Sequence, residues 1–133
     1  MKVPKPKKKK DNLDKTMLDL WSEIVKIRAG YKCEYCGSTK SLNSHHIFSR
    51  SNRSVRWDVK NGICLCALHH TLGNMSAHKA PLEFGDWIRE QRGEQWYIDL
   101  RAKSQTIVKH SRASKLEILE GLKAMIKEME NGS

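Results

Sequence analysis

The stretches Cys33-Glu34-Tyr35-Cys36 and Cys66-Ala67-Leu68-His69-His70, with His45-His46 and Asn61 between them, decide how this chain is read. Thiolates and imidazoles are the ligands of tetrahedral zinc. Cys33 and Cys36 supply one half of such a site; Cys66 and His69 supply the other. Each pair has the two-residue spacing that lets both side chains reach one ion. The gap between the halves is far longer than the roughly 12 residues of a three-base-reading zinc finger, which argues against a simple finger. Cys64 competes with Cys66 but lacks the knuckle spacing to His69, and reads as a small buried apolar residue.

A structural zinc site leaves His45, His46 and His70 without a duty. His45 and His46 are neighbours, and on a strand they face opposite ways. His70 follows a zinc ligand, and on a helix it leaves the zinc by about 100° of rotation. A metal held by His45 and His70 has positions left for water and a phosphate oxygen. His46 is then a candidate general base, because neutral imidazole accepts protons near neutral pH. Any one of these histidines alone reads as well as a hydrogen-bonded core or surface residue. Three of them beside zinc knuckles favour the metal.

The chain has 133 residues, with 25 basic and 15 acidic side chains and a formal net charge of +10. Such an excess favours polyanions, nucleic acid foremost; a solubilising surface is the plainer alternative. Hydrophobic content is 38%, thin for this size, and a structural metal compensates for a small core. Four cysteines with six histidines and no signal peptide are read as an intracellular metal site, in the cytoplasm, in place of disulfides. No apolar run approaches the length of about 20 residues needed to cross a bilayer.

Outward from the centre, residues 1–12 form a lysine- and proline-rich arm, expected to be disordered and to touch phosphates or remain a solvated tail. The spacing of Met17, Leu20, Trp21, Ile24 and Ile27 predicts a helix over 13–29, capped by Asn12 or Asp14 and ended by Gly30. Strands are expected at 42–48 and 62–66, and a short helix from near Cys66 carries His69 and His70. The loop 49–58 holds Arg50, Arg53 and Arg56, candidates to hold a phosphodiester, and Trp57, which packs under the loop or stacks on a base. Helices follow at 81–92, with Pro81 in the first turn and Gly93 at the end, and at 94–103. Residues 104–111 read as a polar linker. Leu116, Leu119, Leu122, Ile126 and Met129 predict an amphipathic helix over 112–130, capped by Ser111 or Ser114. Its apolar face packs intramolecularly or serves self-association, so a homodimer stays open.

These residues resemble the HNH endonuclease superfamily, whose compact unit is the ββα-metal motif. The resemblance rests on His45-His46-Ile47 and on Asn61-Gly62-Ile63-Cys64-Leu65-Cys66-Ala67-Leu68-His69-His70, and covers about residues 31–80. It implies an α+β fold: a small zinc-stabilised ββα-metal core flanked by N- and C-terminal helices, with residues 13–103 as the nuclease domain that includes flanking helices. It implies that His45 and His70 bind a catalytic divalent metal, Mg²⁺ or Mn²⁺, that His46 is the general base, and that Asn61 orders the loop holding His46. Zinc-bearing members carry two Cys-x-x-Cys knuckles; here His69 stands where the fourth cysteine would be. Many relatives place another metal ligand four residues past the last histidine. That position is Asn74, and His78 lies further on; both are candidates for the third ligand. The implied reaction is hydrolysis of DNA, leaving 5′-phosphate and 3′-hydroxyl ends.

A looser similarity extends to the phage NinG (Rap-like) recombination nucleases. It rests on Arg56-Trp57-Asp58, on Leu72-Gly73-Asn74 and on the charged helical tail. It implies a phage or prophage origin and branched as well as duplex DNA as substrate. The rival expectation is a non-catalytic zinc module that binds nucleic acid through its basic surface.

Overall fold

At residue 62 the first helix meets the sheet closely. A Cβ on Gly62 would lie 2.3 Å from Val25 Cγ2 and 2.8 Å from Trp21 Cζ2, so only glycine lets the first helix reach the sheet. The computed structural model describes residues 3–4 and 12–132. All but Val3, Pro4 and Asn12 of the expected basic arm lies outside the described residues. The fold is α+β. Helix α1 spans Leu13–Arg28, strand β1 Leu42–His46, strand β2 Gly62–Cys66, helix α2 Pro81–Arg92, helix α3 Glu94–Ser104 and helix α4 Arg112–Asn131. A 3-10 turn at Val59–Asn61 leads into β2, and a π-helical turn at Leu68–Leu72 leaves it.

β1 and β2 pair antiparallel, with His45 opposite Ile63, His46 opposite Gly62 and Ser44 opposite Cys64. Alternation sends these pairs to two faces. One face carries Cys64, which clusters with Trp21 and Val25 of α1, and Ser44 Oγ donates to the Ser22 carbonyl at 2.8 Å. The other carries Ile63 and Leu65, packed with Cys33, Cys66, Phe84 and Ile88. α1 also buries Met17 and Ile24 with Trp57, Leu119 and Leu122, so its apolar stripe serves both the sheet and α4. Each fully buried side chain of this size contributes about 1.5–3 kcal/mol.

Side chains from three helices hold the carbonyls that lead into β2 and the first carbonyl within it. Trp21 Nε1 donates to Asp58 O at 2.8 Å. Arg28 donates to Val59 O and Gly62 O, each at 2.7 Å. Arg92 donates to Gly62 O at 2.8 Å, and Trp96 Nε1 to Lys60 O at 3.0 Å. A backbone turn beneath packed helices needs such partners, because an unpaired buried carbonyl is costly.

Several boundaries differ from the sequence expectation. β1 ends at His46 and not at residue 48, because the Asn61 side chain takes over the backbone of Phe48. α4 is capped by Ser111, whose Oγ accepts from Ser114 N at 3.1 Å. Leu116 is 42% exposed; it sits at the edge of the apolar face, and Ile118 packs against the cluster from the other edge. The helix after β2 is a π turn, closed by Gly73 N–H to Leu68 O at 2.8 Å. It cannot continue as an α-helix, because the carbonyls of His69 and His70 accept from Ala77 N and His78 N.

Overpacking at residue 62 is directly testable. Gly62→Ala is expected to lower stability by about 1–3 kcal/mol, read from the urea midpoint. An unchanged midpoint would contradict the close approach of Val25 and Trp21.

Candidate metal centres and their surroundings

Cys33 and Cys36 sit on a turn in which Cys33 N–H donates to Ser38 O and Gly37 N–H to Cys33 O, both at 2.8 Å. Gly37 has φ +80°, a left-handed conformation that glycine takes at no steric cost. The turn brings Cys36 Sγ to 3.7 Å from Cys66 Sγ. His69 Nδ1 lies 3.3 Å from Cys66 Sγ and 3.9 Å from Cys33 Sγ. Four donors on a tetrahedral zinc, with Zn–S near 2.3 Å, stand about 3.6–3.8 Å apart. All four ligand atoms lie within 4.8 Å of one another, so these residues could hold a metal ion, and their chemistry fits structural zinc. Burial pushes the Cys33 thiol up, but backbone hydrogen bonds from Cys66, Cys36 and Tyr35 outweigh it and hold it below the ordinary thiol range. That favours the thiolate a metal needs.

Tyr35, inside the knuckle, stacks on His69 with centroids 4.3 Å apart and leans on Trp87 at 4.6 Å. Spacing gives no sign of this role, because the ring acts through packing on a residue distant in sequence. Cys64 stays outside the cluster. It is fully buried, and burial, then the nearby Glu34 carboxylate, pushes its thiol up to about 11.

The second cluster lies on the α2 face of the sheet. His45 comes from β1, His70 from the π turn and His78 from the segment after it. One nitrogen of each lies within 4.8 Å of the others. His70 Nε2 and His78 Nε2 are 3.1 Å apart, and the His45 ring lies about 5 Å from both, at 5.1 and 5.0 Å. The His78 N–H to His70 O bond, at 3.2 Å, sets the third imidazole beside the second. His78, one of the two candidate third ligands, joins His45 and His70 in this group; both it and Asn74 are exposed. Burial, then repulsion from His70, His78 and His46, pushes His45 down to about 3. Burial and His78 lower His70 as well. Neutral imidazoles with free lone pairs are what a metal site requires.

His46 faces the other way. Its ring stacks on Trp21 at 3.8 Å between centroids, with the planes 8° apart. Its Nε2 lies 3.0 Å from the Arg56 carbonyl. A carbonyl only accepts, so Nε2 carries the proton and Nδ1 keeps the lone pair. Among the described residues, nothing pairs with that Nδ1. Burial lowers the His46 pKa below the usual imidazole range, partly opposed by the Arg56 carbonyl. Trp21 reads from sequence only as core; its second task depends on Gly62, directly opposite His46 in the ladder.

Asn61 is fully buried. Its Oδ1 accepts from Phe48 N at 2.7 Å, and its Nδ2 donates to Phe48 O at 2.9 Å and Val55 O at 3.2 Å. The side chain thus ties both ends of the loop that follows His46. Arg56 lies in that loop and is half-buried, its Nε donating to Arg50 O at 2.6 Å. Arg50 and Arg53 are exposed, while Trp57 is buried beneath the loop.

No known family model, curated protein or solved structure matches this chain. Among the described residues, no helix is long and apolar enough to cross a membrane.

Proposed function

We propose that this chain is a metal-dependent DNA endonuclease of the HNH type. The observation that carries the proposal is the division of labour along β1: His45 joins His70 and His78, while His46 is held by a carbonyl with one nitrogen unpaired. His45, His70 and His78 would hold the catalytic divalent ion. Such an ion neutralises charge on the phosphate and on the leaving 3′ oxygen. His46 takes the proton from the attacking water at Nδ1; the Arg56 carbonyl fixes its tautomer and Trp21 its ring plane. Asn61 positions the loop from which that carbonyl points. Arg50 and Arg53 offer guanidinium groups to the phosphodiester.

A zinc module that only binds nucleic acid needs neither the His45, His70 and His78 cluster nor a His46 nitrogen left unpaired. Cleavage of matched linear, nicked and four-way DNA, with and without added divalent ions, tests the reading and its substrate class together. The similarity to phage recombination nucleases leads us to expect branched DNA among the substrates. Equal inertness on all three, with metal-loaded protein, would leave the binding module as the better account.

Residues 1–10 contain six lysines. Deleting them is expected to weaken DNA binding and flatten its dependence on salt, because each phosphate contact adds about 0.9 to the slope of log affinity against log salt. An unchanged slope would make the arm a solvated tail.

A further inference from the structure

We propose that Ser76 is a positioning residue for the three-histidine cluster: it caps the turn that carries His78 and so places the third imidazole. The proposal rests on that cluster holding a metal ion, as in the reading above, and not on DNA cleavage. The need for such a residue is visible at His78. That side chain is exposed, and its ring meets those of His45 and His70 edge-on, at 5.0 and 4.7 Å between centroids. An exposed imidazole keeps much of its rotamer freedom, so where it reaches depends on the backbone beneath it.

Ser76 holds that backbone. It is fully buried, and its carbonyl accepts from Ala80 N–H at 2.8 Å, which closes one helical turn over residues 76–80. The first N–H groups of such a turn have no partner inside it. Here Ala77 N–H donates to His69 O at 2.8 Å, and His78 N–H to His70 O at 3.2 Å. Lys79 N–H donates to Ser76 Oγ at 3.2 Å, the bond that a serine at the start of a helix makes. Ser76 N–H in turn donates to Gly73 O at 3.1 Å. These bonds span residues 73–80, between the π turn and α2.

The three donors at the start of the turn are thus shared out. A zinc-cluster residue, His69, takes the first; His70, of the second cluster, takes the next; Ser76 takes the last. Without the hydroxyl, Lys79 N–H loses its acceptor and the turn opens from its start. His78 then leaves its place, where its Nε2 lies 3.1 Å from His70 Nε2. Outer-shell bonds of this kind orient metal ligands and raise the affinity of the site. Ser76 supplies no ligand itself, so its effect on the metal passes through His78.

Binding of Mn²⁺ to the full-length protein carrying one zinc tests this, read from loss of the free-ion paramagnetic resonance signal. Ser76→Ala should weaken Mn²⁺ binding by about tenfold and leave the equivalent of zinc in place. Ser76→Thr, which keeps the acceptor, should restore the affinity. In a His78→Ala background the effect of Ser76→Ala should vanish, because nothing is left to position. A Ser76→Ala protein that is less stable yet binds Mn²⁺ as tightly as wild type overturns the proposal, and so does a tenfold loss that persists without His78. Should Ser76→Ala fail to fold, amide exchange in the wild type decides. The Lys79 N–H should exchange slowly, and exchange at the rate of an unfolded chain overturns the cap. A wild type that binds no Mn²⁺ ends the metal reading and this proposal together. Binding that depends on Ser76, in a protein that cuts no DNA, ends the nuclease reading alone.

Discussion

His46→Ala is expected to slow DNA cleavage by about 10² to 10⁴ while zinc content and DNA affinity stay near wild type. The expectation follows from one strand. His45 and His46 are adjacent, yet one enters the three-histidine cluster and the other stacks on Trp21 and hydrogen-bonds Arg56 O. The ring of His46 is partly buried, so alanine leaves a gap against Trp21. His46→Gln fills most of that volume and still donates to the carbonyl, but offers no basic nitrogen. Both variants should be equally slow. His45→Ala, His70→Ala and His78→Ala should behave differently, since they weaken metal binding and should recover in part at high divalent-ion concentration. Cleavage rates across a metal titration separate the two classes. Near-wild-type cleavage by folded His46→Ala and His46→Gln would remove His46 from the mechanism.

The second large effect belongs to the other cluster. Cys36→Ser should lose bound zinc and, with it, stability on the order of several kcal/mol, because metal-binding energy in small domains is folding energy. Cys36 is exposed, so the substitution removes a ligand and almost no packing. Cys64→Ser is the control. It should keep a full equivalent of zinc and cost about 1–3 kcal/mol, because a hydroxyl is buried among Trp21 and Val25. Metal analysis with thermal unfolding checks both. One equivalent of tightly held zinc in Cys36→Ser would break the assignment.

Local spacing made the first cluster legible. Cys-x-x-Cys and Cys-x-x-His each bring two ligands to one point through a single turn, and antiparallel pairing of β1 with β2 then brings the halves together. His45 and His70 were legible as a pair because strand alternation parts His45 from His46 and His70 turns away from the zinc ligand before it. His78 was not separable from Asn74, because its position depends on the backbone bonds that fold residues 77 and 78 onto the π turn. No sequence period encodes those bonds. The tautomer of His46 was hidden too, since its partner is a carbonyl ten residues away.

The helices were legible from their apolar spacing, but α1 shows where that ends. Periodicity marks Met17, Trp21 and Ile24 as one stripe, and cannot divide it between a sheet and a fourth helix. Gly62 settles the division by admitting Trp21 and Val25. The arginine and tryptophan side chains that hold the carbonyls of residues 58–62 carried no spacing signal, because they arrive from α1, α2 and α3 at wide separation in sequence. Leu116 was misplaced for a simpler reason: a residue at the edge of a helical face packs only when the neighbouring element is wide enough to reach it.

The central claim is that His45, His70 and His78 form a metal site that cuts DNA. Its most direct test is conversion of supercoiled plasmid by purified, zinc-loaded protein, first freed of loosely bound metal and then supplied with Mg²⁺ or Mn²⁺. Nicked or linear product that appears only with added ion, ends in 5′-phosphate and disappears in His45→Ala is the predicted result. DNA binding without cleavage at any divalent-ion concentration, by protein whose zinc site is full, would contradict it.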